Sequence, residues 1–221
     1  MRVTLAGTMA VLAVLGTFGC ERELPYEPPH EQPIVGYRLE GYVTDRLGVP
    51  LRGVRVGLWY DYEFLDNVVP PVTRFVVDDT TKLVNVQVLD RNRRVRAVLY
   101  EGRAPLGELD VKWDQRDNLK VTAPSGVYTV EFSVNGVVKA SYSVVVDGAV
   151  TATTDSLGHY VIPDENLPVG YLPVPRYGSQ SRFVGNYRIT ATVALELYLD
   201  IRRGTTLSVT KNQITRRDFV I

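Results

Sequence analysis

Few side chains in this sequence have the types and spacing that covalent chemistry needs. Cys20 is the only cysteine, and His30 and His159 are the only histidines. A nucleophile–base set requires the histidine beside the hydroxyl or thiol. Here one histidine lies in a proline-rich stretch, the other in a turn, and the thiol follows an apolar leader. His30-Glu31 does not begin a helical HExxH zinc motif, because Pro33 and Ile34 follow where the second histidine is needed. His159 stands without companion ligands, so it reads as a surface or hydrogen-bonding residue. Asp78-Asp79 and Asp114…Asp117 fall in loops, but they lack the ligand density of a calcium loop and read as solvated turn residues. No Gly-rich phosphate loop opens a helix, because no folded helix is predicted. The expectation is no catalytic residue, no metal and no cofactor.

What remains is non-covalent. Trp59, Tyr60, Tyr62 and Phe64 put aromatics on both faces of a strand, interleaved with Asp61 and Glu63. Exposed aromatics beside carboxylates suit stacking on a sugar ring or a protein partner. The same pattern arises when one face is core and the other packs on a neighbouring domain. Both readings stand at this point. A second place for binding is the Asn166–Arg188 stretch, with Pro168, Pro173, Pro175, Gly178 and Gly185, since long loops on rigid scaffolds often carry contacts. A plain connecting loop is the other reading.

The elements that must position these residues follow from composition and period. The 221 residues suffice for one large or two small domains, and Lys+Arg 25 balances Asp+Glu 25. With no basic stripe, nucleic acid is not an expected partner. Tyr 13 and Gly 18 against Met 2 favour strands and turns. Met1–Gly19 has one arginine near its start, then an apolar run of small residues, which is the chemistry of a signal peptide. It is too short and too poor in flanking charge for a good transmembrane span. Residues 20–36, with Pro25, Pro28, Pro29 and Pro33 among charged groups, read as an extended tether.

Gly19-Cys20 resembles the lipobox of bacterial lipoproteins. The resemblance implies that the Cys20 thiol takes a diacylglycerol and that cleavage leaves Cys20 as the acylated terminus. Glu21 after it implies, by the same resemblance, the outer membrane. The alternative is an ordinary secretory signal with a free thiol. The expected partners are the membrane, through that lipid, and an envelope protein or glycan.

After the tether, Leu39, Gly41 and Val43 alternate with polar residues, Asp45–Gly48 supplies a turn, and Val54, Val56 and Leu58 alternate again. This reads as a hairpin-like pair of strands. Thr153–Ile162 reads as a turn and strand built to pack beside it. Gly41, Val43, Asp45, Gly48, Pro50, Leu51, Gly53, Val54 and Val56, with Thr154-Asp155, Gly158 and Tyr160 far downstream, resemble the carboxypeptidase regulatory-like domain. That resemblance implies a transthyretin-like β-sandwich. The gap between its two halves is too long for a structureless loop, so something folded is inserted.

The insert, residues 71–146, has its own alternating runs at Phe75–Val77, Val84–Val88, Val95–Leu99, Leu109–Trp113, Val127–Phe132 and Val137–Val146. Asn135-Gly136 is a type I′ hairpin signal. Val86–Asp90, Val95, Leu99, Gly107, Trp113-Asp114, Asp117 and Ser125–Tyr128 resemble the Ig-like domain of the flagellar hook-cap protein. Trp113 ends its run and reads as a core anchor. Arg93 and Lys120 stand at turn places where that family has glycine, so Asn92 and Asn118 are expected to take the left-handed conformations.

The host sandwich, residues 37–70 plus 147–221, resumes at Asp147. Tyr187–Ile201 alternates throughout, Leu207 and Val209 form another strand, and Asp218–Ile221 resembles a closing strand docked on the sheet. The fold class is therefore all-β: two small β-sandwich domains, one inserted in the other, after a signal helix and a Pro-rich tether. The functional expectation is a non-catalytic, lipid-anchored envelope protein serving as a structural, adhesive or assembly module. A carbohydrate- or peptide-binding subunit is the second reading and a hydrolase accessory the third.

Overall fold

The computed structural model describes residues 37–65, 73–171, 174–177, 183–199 and 203–221. The leader, Cys20 and the tether with His30 lie outside them. The described chain forms strands β1 (Arg38–Thr44), β2 (Arg55–Leu65), β3 (Arg74–Val77), β4 (Leu83–Leu89) and β5 (Val95–Arg103). Then come β6 (Gly107–Asp110), β7 (Gly126–Val134), β8 (Val137–Val146), β9 (Val150–Thr153) and β10 (His159–Pro163). A 3-10 turn at Asp164–Asn166 precedes β11 (Val174–Tyr177), β12 (Phe183–Tyr198), β13 (Arg203–Ser208), β14 (Ile214–Arg216) and β15 (Phe219–Val220). The protein is all-β, built of sheets packed in layers.

β1 and β2 do not form a hairpin. β1 pairs antiparallel with β10 and parallel with β14 and β15, while β2 lies between β12 and β9 in a second sheet. The reason is burial. Leu39 and Val43 of β1 with Ile162 of β10, and Val56, Leu58 and Tyr60 of β2 with Ile189, Val193, Leu195 and Leu197 of β12, face the same core from opposite layers. Pairing the two strands in one sheet would have left one layer without a partner. The downstream stretch does pack beside both: β10 on β1, and β9 on β2.

A second core joins Val77, Val84, Val86, Val88, Ala97, Tyr128, Val130 and Phe132. Its main sheet runs β5-β4-β7-β8, and β3 with β6 makes a separate pair. Asn135 (φ 48) and Gly136 (φ 78) both take positive φ, which makes the β7–β8 connection a type I′ turn. β6 stops at Asp110, short of Trp113. The Trp113 indole instead donates to the Arg116 carbonyl at 2.7 Å and meets Tyr128 edge-on at 5.0 Å, half-buried against the second core.

Four turns share one geometry. In Asp45–Val49, Asp90–Arg94, Asp117–Val121 and Asp155–His159, the Asp Oδ1 accepts the N–H groups two and four residues on. Its main-chain N–H and carbonyl close the loop on the fifth and fourth residues. This wiring forces a left-handed fourth residue: Gly48 (φ 80), Arg93 (φ 62), Lys120 (φ 64) and Gly158 (φ 70). Arg93 and Lys120 themselves, not Asn92 and Asn118, therefore carry the positive φ. The Asp anchor decides the position, and the asparagines sit at the wrong offset. A left-handed non-glycine residue costs about 1 kcal/mol, partly offset by glycine's freedom in the unfolded chain. Lys120→Gly is thus expected to raise stability by about 0.5 kcal/mol. A urea midpoint below that of the wild type would refute the turn assignment. The exposed Lys120–Asp114 pair at 3.9 Å contributes little to this comparison.

The Tyr187–Ile201 alternation is interrupted. Ile189, Val193, Leu195 and Leu197 are buried, but Ala191 is exposed at a register shift between Ile189 and Val193. Strand β12 begins at Phe183, and β11 pairs with it, so the expected long loop carries an edge strand. β14 is tied to β1 by Glu40, which is 8% exposed and held by Arg38 at 2.6 Å and Arg216 at 3.2 Å. The hydrogen bond from Arg38, then the charges of both arginines, hold this carboxyl below its ordinary value against the opposing effect of burial. A depressed carboxyl stabilises fully above its unfolded value of about 4.3, and the stabilisation is lost as pH falls through the folded value. Glu40→Gln is therefore expected to melt a few degrees below wild type at pH 7, with the gap closing towards about pH 3. A gap that stays constant with pH would show that the ion pairs contribute nothing.

Candidate functional site

The strand bearing the aromatics passes through the junction of the two cores. Residues 58, 60, 62 and 64 point to one face of β2 and residues 59, 61 and 63 to the other. Tyr60 is 7% exposed. Its hydroxyl donates to the Asn166 carbonyl at 2.7 Å, and its N–H donates to Asp147 Oδ1 at 2.9 Å. Burial first, and the Asp147 charge second, push this phenol well above its ordinary value. The Tyr62 hydroxyl donates to Asp147 Oδ2 at 2.7 Å. Asp147, the first residue after β8, thus clamps β2 through both oxygens.

Ser125 and Asn166 complete the junction. Ser125 is fully buried, donates to the Leu58 carbonyl at 2.7 Å and accepts the Ala149 N–H at 2.9 Å. The Asn166 side chain donates to the Ser125 carbonyl at 2.9 Å. At the rim, Arg91 donates to the Asp164 carbonyl at 3.0 Å, and Asn92 bonds Glu165. The chain's return into the host core is fixed by Gly148 (φ 69). Its N–H donates to Leu58, its carbonyl accepts the Tyr198 hydroxyl, and the Trp59 ring lies where a Cβ would sit.

The four sequence-nominated aromatics do not form one platform. Tyr60 and Tyr62 are engaged inside the junction. Phe64 shares their face, meets Tyr187 edge-on at 5.4 Å and is half exposed beyond the end of the core. Trp59 lies on the opposite face of β2, 43% exposed, with its indole N–H donating to Glu196 at 3.1 Å. His159 lies in its turn with its ring 4.8 Å from Tyr42. The loop carboxylates Asp79, Asp114 and Asp117 each accept backbone N–H groups of their own turns. Among the described residues no group of three His, Cys, Asp or Glu is placed to hold a metal ion.

Sequence reasoning missed Asp147, Ser125 and Asn166 as the residues that join the cores. Asp147 marked only a boundary, and Asn166 the start of a loop. A polar residue where an apolar run crosses between domains is the one local signal that could have flagged Asp147. The geometry defines a class, a two-core all-β chain with a buried polar junction. No protein family, curated protein or solved structure matches this chain. The resemblances given above therefore rest on the residues quoted for them.

Proposed function

We propose that the chain is a non-catalytic, lipid-anchored cell-envelope protein that serves as a structural or assembly module at the outer membrane. The leader and the Gly19-Cys20 junction supply the anchor, and residues 20–36 the tether. The observation that carries the interaction role is at the far end of β1. The tether joins at Tyr37, before β1. The turns past Thr44 at the other end carry Leu47 (88% exposed), Val49 (53% exposed) and Leu157 (66% exposed). The Val43 N–H donates to the Gly158 carbonyl, which ties the second turn to the end of β1, and the Thr44–Pro50 bridge closes the first turn. Exposed apolar tips on hydrogen-bonded turns suit contact with a partner protein.

The experiment is mass spectrometry of the membrane fraction from wild type and Cys20→Ser. Acylated Cys20 at the terminus, with the variant released to the soluble fraction, is the expected result. An unmodified Cys20 on a soluble wild-type chain would overturn the anchor. For the turns, Leu47→Asp with Leu157→Asp should abolish cross-linking to the envelope partner without lowering the melting temperature. A carbohydrate-binding role is favoured by one observation, the exposed Trp59 beside Asp61 and Glu63, and a glycan screen of Trp59→Ala addresses it.

A further inference from the structure

A cleft of about 230 Å³ opens where the first residues of β1 meet the Asp90–Arg94 turn and the turn before β14. Two cations line it. Arg91 donates one N–H to the Asp164 main-chain carbonyl and has no carboxylate partner among the described residues. Lys211 lies across Gly170 and makes no ion pair among the described residues. The Tyr37 hydroxyl is buried at the same place and has no hydrogen-bond partner among the described residues. Burial pushes that phenol up to about 12, so it is a neutral O–H donor at physiological pH. A buried donor left without an acceptor costs stability, and native proteins rarely tolerate it without a ligand or water.

The rest of the lining narrows the ligand. Leu167, fully buried, and Val169 form an apolar wall. Asp164 is the one carboxylate in the lining, and the Asn212 amide is its one uncharged polar side chain besides Tyr37. Two cations against one carboxylate leave room for one negative charge and repel a second, which disfavours a phosphate dianion. The guanidinium fork matches a carboxylate in its plane, and the lysine adds a point charge. An acceptor carboxylate beside that pair suits an N–H one peptide unit back. The apolar wall and the volume suit a small side chain between the two.

We propose that this cleft binds the free C-terminus of a peptide whose last residue is small and apolar. Arg91 and Lys211 hold the terminal carboxylate, the Tyr37 hydroxyl donates to it, and Asp164 accepts the preceding amide N–H. The mode is recognition of a chain end by convergent donors. It goes beyond the display role, and it does not depend on the anchor, because binding is read on the purified full chain.

The test is calorimetric titration of the full chain with N-acetyl-alanylalanine and, separately, with its C-terminal amide. Saturable binding of the acid is expected, with the amide at least tenfold weaker. Arg91→Gln and Lys211→Gln should each weaken the acid at least tenfold. Both side chains are exposed, so an unchanged melting temperature verifies folding. Lys139→Gln, an exposed lysine on β8, should bind as wild type does. Equal binding of acid and amide, no saturable binding of the acid, or wild-type affinity in both cleft variants would overturn the proposal. Inorganic phosphate competing as well as the acid would overturn it too, by showing a general anion site.

Discussion

Phe132→Ala is expected to lower the unfolding free energy by about 4 kcal/mol, the size found when a fully buried aromatic ring is truncated. Phe132 is 0% exposed, stacks on Phe75 at 5.9 Å and meets Tyr142 at 6.2 Å. It lies on β7, in the middle of the four-stranded sheet, so no backbone shift of an edge strand can collapse the cavity. The informative part is what else unfolds. Ser125, just before β7, is bonded to Leu58 and Ala149, and Asp147, just after β8, is bonded to Tyr60 and Tyr62. Loss of the second core therefore strips the hydrogen-bond partners from buried groups of the first. Trp 2 in the sequence makes this measurable. Trp113 packs on the second core and Trp59 on Gly148 at the junction, so single-tryptophan variants report each side. Urea midpoints from the two probes should fall together in Phe132→Ala. A fall at Trp113 with Trp59 unmoved would mean that the junction does not couple the cores.

Gly41→Ala should cost about 3 kcal/mol, at the upper end for overpacking. A Cβ at this position would stand 1.8 Å from the Arg217 carbonyl oxygen and 2.9 Å from the Tyr160 hydroxyl. The first of these is main chain and cannot rotate away. β14 and β15 both pair with β1, on either side of this point, and Arg217 is the link between them. Its N–H donates to Glu40 at 2.9 Å and its carbonyl accepts Tyr160 at 2.5 Å. Making room for one methyl group lifts that link from the sheet and loosens Phe219, which packs into the core. Two comparisons bracket the effect. Tyr160→Phe removes one hydrogen bond and should cost about 1 kcal/mol. Gly48→Ala meets open space but keeps φ 80, and should also cost about 1 kcal/mol. Gly41→Ala within about 0.5 kcal/mol of wild type, the range of neutral surface changes, would show that the closing strands are not held against Gly41.

What was legible in the sequence was local. Period-two alternation placed most of the strands, because each face of a strand meets either core or water within a few residues. Asn135-Gly136 fixed a turn type by sterics alone. Gly48 marked a left-handed position, but Arg93 and Lys120 did not, since their conformation is imposed by the Asp90 and Asp117 side chains rather than by residue preference. The candidate site was half legible. The aromatic run was visible, and so was the alternative that it served an interface. Which aromatic went where was not, because Tyr60 and Tyr62 acquire their roles only when Asp147 arrives from about 85 residues away.

By itself, then, the sequence determined an all-β chain and the positions of most of its turns. Only the tertiary structure decided that β1 and β2 lie in different layers, that the last strands run parallel to β1 beside Gly41, and that Arg91, Lys211 and Tyr37 share one cleft. Alternation says that a strand has a buried face but not which strand faces it. That choice belongs to packing between residues far apart in the chain, where many pairings satisfy the local pattern and one buries both cores at once.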